Sequence, residues 1–97
     1  MGKIILNRKK SFLGMLAKYK VFLDEKEIKD ISNNEQIELE TSDGPHELYL
    51  KNAVISTGKS NIIKFNSTSE SIIKIIVKSG YYNFSGIKLE LESNLSQ

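Results

Sequence analysis

The sequence predicts an all-β domain: an antiparallel β-sandwich or open barrel of about eight short strands. Three observations carry that expectation. Apolar and polar side chains alternate with a period of two over most of the chain, as in strands with one face on a core. Clusters of Gly, Asn, Ser and Asp interrupt the rhythm roughly every 8–12 residues. No stretch holds a convincing helical stripe. The organising segment is residues 21–50, where three alternating runs are split by Asn33-Asn34 and by Ser42-Asp43-Gly44-Pro45. These runs read as consecutive antiparallel strands, with the other strands packed against them.

The elements follow in order. Residues 3–7 form a short run with Ile4 and Leu6 on one face, read as an edge strand, and Arg8-Lys9-Lys10 interrupts it as an exposed charge run. Residues 12–23 admit two readings. As a strand, Met15, Ala17, Tyr19, Val21 and Leu23 share one side. As a helix, Leu13, Leu16, Ala17 and Lys20 make a poorer stripe that Ile28 and Ile31 would extend. Asp24-Glu25-Lys26-Glu27 reads as a hairpin turn before a short strand over 28–31. Ser32-Asn33-Asn34 is a second turn, because Asn tolerates left-handed backbone. Ile37 and Leu39 alternate with Glu38 and Glu40, and the only proline, Pro45, marks the next turn. Leu48 and Leu50 then return in phase.

Ile63 and Phe65 line one face of the next run. Residues 71–78 are apolar on both faces near the middle, which suits a central strand. Tyr81, Tyr82 and Phe84 lie in a loop-like aromatic stretch. Ile87, Leu89 and Leu91 alternate with Lys88, Glu90 and Glu92 in the last strand, and residues 1–2 and 93–97 read as frayed ends. The expected core is Leu23, Ile37, Leu39, Leu48, Leu50, Ile63, Phe65, Ile73, Ile75, Val77, Leu89 and Leu91.

A chain of 97 residues holds one core and reads as one domain, with little left over for lids or deep clefts. Fourteen basic against 12 acidic residues leave a net charge of +2, too slight a balance to imply nucleic-acid or anionic-membrane binding. Cysteine is absent, so stability rests on packing and no thiolate metal site forms. Neither a signal-peptide core nor a membrane-spanning stretch is visible, so a cytoplasmic protein is expected unless the chain is cut from a larger surface protein.

The motifs point to no enzyme and no cofactor. Ala53-Val54-Ile55-Ser56-Thr57-Gly58-Lys59-Ser60 matches a permissive phosphate-binding loop, but that chemistry needs a helix to follow directly, and Asn61-Ile62-Ile63-Lys64-Phe65 alternates like a strand. The single histidine, His46, has no second His or Cys to share a metal and reads as a locally bonded residue opening a strand. Glu38, Glu40, Glu90 and Glu92 sit at period two on outward faces, where Lys-paired solvation explains them better than a glycosidase pair. Asn66-Ser67-Thr68, Asn83-Phe84-Ser85 and Asn94-Leu95-Ser96 fit the glycosylation pattern without a secretion signal beside them. Tyr81, Tyr82 and Phe84 are the candidate binding surface, since exposed aromatics anchor protein partners or stack on sugar rings.

Val21-Phe22-Leu23-Asp24, then Ile31, Asn33-Asn34, Ile37 and Leu39, then Gly44-Pro45-His46-Glu47-Leu48-Tyr49-Leu50 resembles the PEGA-like class of small bacterial β-sandwich domains. There an apolar strand ends in Asp-Gly, a polar turn follows, and a Gly-x-His-x-apolar strand returns; here Glu25 follows Asp24. The resemblance implies an immunoglobulin- or prealbumin-like sandwich and a non-catalytic module of a larger assembly. The resulting expectation is an interaction or accessory module that meets a protein partner or self-associates by an edge strand. The alternative is a carbohydrate- or small-ligand-binding domain using Tyr81, Tyr82 and Phe84.

Overall fold

The computed structural model describes residues 1–10, 18–53, 58–79 and 87–95. Among them the chain is all-β, with eight strands and no helix: β1 (Gly2–Arg8), β2 (Tyr19–Leu23), β3 (Lys26–Ile31), β4 (Gln36–Thr41), β5 (Gly44–Asn52), β6 (Ile63–Ser67), β7 (Ile72–Ser79) and β8 (Ile87–Leu95). No helix among these residues is therefore long and apolar enough to cross a membrane. The strands form two four-stranded sheets, ordered β4-β1-β7-β8 and β3-β2-β5-β6. Side chains from both sheets share one core, built on Ile4, Leu6, Ile73, Ile75, Val77 and Leu89 from the first and Tyr19, Val21, Ile31, Leu48 and Leu50 from the second. The two-residue rhythm is what allows this, because each strand turns one row of apolar side chains inward.

Two expectations about strand placement are overturned. The first strand is not an edge: β1 lies inside its sheet, antiparallel to β4 and parallel to β7, with Lys3 opposite Ile72 and Leu6 opposite Ile75. The fold is therefore not purely antiparallel. A parallel pair needs a long crossover, and here the whole second sheet supplies it. Residues 21–50 are also not a run of sequential partners. β2 and β3 form a hairpin, but β4 leaves to pair with β1, and β5 returns to pair with β2. β3 explains the split. Every side chain from Lys26 to Asp30 is exposed and only Ile31 is buried, a pattern fit for an edge and unfit for a sheet interior. The helical alternative for residues 12–31 fails from Tyr19 onward, while Phe12 to Ala17 lie outside the described residues.

The turns obey local chemistry. The β2–β3 hairpin closes over two residues, tighter than the four-residue turn read from sequence. Both of them, Asp24 and Glu25, have positive φ, 52° and 68°, the type I′ geometry whose twist matches the flanking strands. At the second turn the Glu35 N–H donates to the Ser32 carbonyl, and Asn34 takes φ 61°. The β4–β5 connection, Ser42 and Asp43, carries the chain from one sheet to the other. Pro45 follows it without cost to the ladder. The N–H and carbonyl of Glu47 face β2, so the Pro45 nitrogen, two residues earlier, points to the same side beyond the last β2 partner, Leu23 opposite Leu48.

The core departs from expectation at three places. Leu91 is 45% exposed. β8 is an edge strand, and beyond Leu91 its register slips: Ile75 faces Leu91 while Lys74 faces Ser93, leaving Glu92 as the extra residue of a bulge. β8 also runs on to Leu95, past the last alternating residue, Glu92. Leu23, Leu39 and Ile63 pack only at the margin. Arg8, assigned to an exposed charge run, is completely buried, whereas Lys9 and Lys10 are exposed. The period that turns Ile4 and Leu6 inward carries Arg8 inward as well. Its guanidinium lies 3.7 Å above the centroid of the buried Tyr19 ring and donates to the Ile31 carbonyl at 3.1 Å. Burial lowers its pKa below the ordinary value, opposed by the charge and hydrogen bond of Tyr19.

Candidate functional site

The sequence-derived candidates Tyr81, Tyr82 and Phe84 lie outside the described residues. Within them, the second sheet presents two arrangements built from neighbouring strands.

The first gathers Asp24, Ser42 and His46 at one end of β5. The turn geometry at Asp24 aims its carboxylate back at β5, where Oδ1 accepts from the Glu47 N–H at 2.9 Å and Oδ2 accepts from His46 Nδ1–H at 2.5 Å. Because the Asp24 N–H also donates to the Glu47 carbonyl, Asp24 prolongs the β2–β5 ladder with its side chain. His46 Nε2–H donates to the Ser42 carbonyl at 2.7 Å. Both ring nitrogens thus face oxygen acceptors, which only the doubly protonated ring satisfies. Burial works against that charge, yet the bonds to Asp24 and to the Ser42 carbonyl, with the Asp24 charge, outweigh it and raise the His46 pKa. At Asp24, desolvation is likewise overcome by the Glu47 N–H and by His46, so its pKa falls.

Ser42 Oγ lies 3.4 Å from Nε2, so serine, imidazole and carboxylate follow one another in the order of a nucleophilic relay. A general base needs a free lone pair on Nε2. Here that nitrogen spends its proton on the Ser42 carbonyl. The group is a charged clip joining the β2–β3 turn to the β4–β5 connection. Among the described residues no cluster of three or more His, Cys, Asp or Glu could hold a metal ion.

The second arrangement lies on the outer face of the β3-β2-β5-β6 sheet. Phe22 and Tyr49 are cross-strand partners, each between two inward aliphatics, Val21 and Leu23 or Leu48 and Leu50. Both rings therefore point away from the core. They stack with centroids 5.0 Å apart and planes 6° from parallel. Lys51 Nζ sits 5.2 Å from the Phe22 centroid and 5.9 Å from that of Tyr49, and Lys59 Nζ lies 4.5 Å from the Tyr49 centroid, all within cation–π range. Lys51 and Lys59 also oppose each other in an antiparallel bridge. The loop carrying Lys59 leads into β6 and into no helix, so the phosphate-loop geometry is not formed there.

These four residues lie off the inward rows that alternation picks out in the sequence. An aromatic between two inward aliphatics, on a face meant for water, was the available signal. The carboxylates lie as expected on outward positions: Glu38 pairs with Lys3 at 3.6 Å, and Glu90 with Lys78 at 3.1 Å. No family model, curated protein or solved structure matches the chain.

Proposed function

We propose that the chain is a non-enzymatic interaction module that meets a protein partner through the outer face of the β3-β2-β5-β6 sheet, centred on Phe22 and Tyr49. One observation carries the reading: half-buried Phe22 stacks on the more deeply buried Tyr49 on the outer face, outside the shared core of the described residues and flanked by cations. Aromatics of this kind dominate the energetics of protein interfaces. The face is favoured over the edges of β3 and β8. β3 carries Lys26, Glu27, Lys29 and Asp30 along its edge, which discourages strand addition. On β8, the Asn61 side chain already occupies both backbone groups of Leu89. The reading agrees in kind with the non-catalytic role that the PEGA-like resemblance implies. An immunoglobulin- or prealbumin-like sandwich belongs to the same proposal, supported by two four-stranded sheets around one core.

The test uses a photo-crosslinking residue placed at position 22, with position 5 on the other sheet as control. A partner trapped from 22 alone is then purified and titrated against wild type and Phe22→Ser/Tyr49→Ser. A loss of affinity of about tenfold or more, with an unchanged circular dichroism spectrum, is expected. Equal trapping at both positions, or unchanged affinity, refutes the reading.

A further inference from the structure

Lys20, Lys51 and Lys59 form one row across the outer face, since Lys20 opposes Lys51 in the β2–β5 ladder and Lys51 opposes Lys59 in the adjoining bridge. Like charges set directly opposite one another destabilise a sheet. Lys20 is compensated on its β3 side by Glu27, 3.7 Å away, and it faces Asp30 in register. Lys51 and Lys59 are not: neither has a carboxylate within 4.0 Å among the described residues. Every Asp and Glu of the sequence lies among those residues. The two ammonium groups rest instead over the Tyr49 and Phe22 rings, which hold a cation in place without neutralising it. Lys18 adds a further, exposed cation to half-buried Lys51 and exposed Lys59. It precedes β2 in phase with Lys20, and its carbonyl accepts from the Ala53 N–H, so it continues the ladder. Two fixed, uncompensated charges are a local conflict, and such conflicts are expected where a partner resolves them.

Resting on the interaction reading above, we infer that this row takes an acidic, extended segment of a protein partner, its carboxylates bound by Lys18, Lys51 and Lys59. Alternate side chains of an extended chain stand about 6.6 Å apart on one face. Lys51 and Lys59 stand on neighbouring paired segments about 4.8 Å apart, a spacing that flexible lysine stems adjust to that repeat. A nucleic acid is disfavoured because base stacking needs an open ring face. One face of Tyr49 is taken by Phe22, Lys59 sits over the ring, and the residue is only 9% exposed.

The experiment titrates the ¹⁵N-labelled full chain with hexaglutamate, hexalysine, inorganic phosphate and a single-stranded hexanucleotide. Hexaglutamate is expected to shift the amides of Lys18, Lys51 and Lys59, with affinity falling as salt rises. Lys51→Gln/Lys59→Gln should weaken it about tenfold, while Lys64→Gln, whose lysine pairs with Glu47, should not. Phosphate shifting the same amides as strongly, or the oligonucleotide binding more tightly, overturns the inference. So does silence from hexaglutamate. If a partner still depends on Phe22 and Tyr49 while hexaglutamate leaves the row unmoved, only the acidic segment is lost; if both fail, the interaction reading falls as well.

Discussion

Asp24 and His46, 22 positions apart in sequence, share a 2.5 Å hydrogen bond that fixes the hairpin tip of one strand pair to the start of β5. Around it the imidazole spends both its protons, on Asp24 and on the Ser42 carbonyl.

The bond makes stability depend on pH. The His46 pKa is raised above 6.5, so its contribution is fully present below pH 6.5 and is lost as pH climbs through the raised value. The Asp24 pKa is depressed, so its contribution is present above pH 3.8 and is lost as pH falls through the lowered value. Wild type should therefore exceed His46→Gln in stability most clearly between about pH 4 and 6.5, and the gap should close toward pH 9. Thermal melts of both proteins across that range check it. His46 is the sole histidine, so its ring proton shifts titrate without overlap.

Arg8 is a buried charge held by a ring face and a carbonyl. Arg8→Ala should cost about 2–4 kcal/mol, by leaving a cavity and taking a donor away from the Ile31 carbonyl. Arg8→Met, which keeps most of the volume and removes the desolvation cost, should be far milder. Urea denaturation separates the two.

Asn61 donates to the Leu89 carbonyl at 3.0 Å and accepts from the Leu89 N–H at 2.7 Å, standing in for a strand partner on the edge of β8. Asn61→Asp removes the donor and sets a carboxylate against a carbonyl. A loss of about 1–3 kcal/mol is expected, with faster hydrogen exchange at the Leu89 amide as the local readout.

Glu25 sits at φ 68° in a turn position that prefers glycine. Glu25→Gly should relieve left-handed strain and stabilise by about 0.5–1 kcal/mol net of the greater freedom of glycine when unfolded. In a domain of this size that raises Tm by roughly 2–8 °C, measurable by calorimetry.

The strands were legible where one face is apolar and the other wet. Ile37, Leu48, Ile73 and Val77 are buried as their alternation implies. Partner choice was not, because a period of two says which way a side chain points and nothing about which strand lies beside it. β1 reads as an edge by its shortness and its basic tail, yet sits between β4 and β7. The charge of Arg8 suggests an exposed run, whereas the phase it shares with Ile4 and Leu6 carries it into the core. Phe22 and Tyr49 lie off the inward rows that alternation picks out, so their stacking across β2 and β5 needed the register to become visible.

The parallel pairing of β1 with β7 has a consequence for how the chain is made. Lys3 meets Ile72, so the first sheet has no centre until Ile72 has left the ribosome. Pairings so distant in sequence form slowly, on the scale of milliseconds to seconds. Until β7 emerges, β1 has only one of its two neighbours to shield it. Nascent chains held with Ile72 still inside the ribosome should accordingly bind chaperones, and the released chain should not.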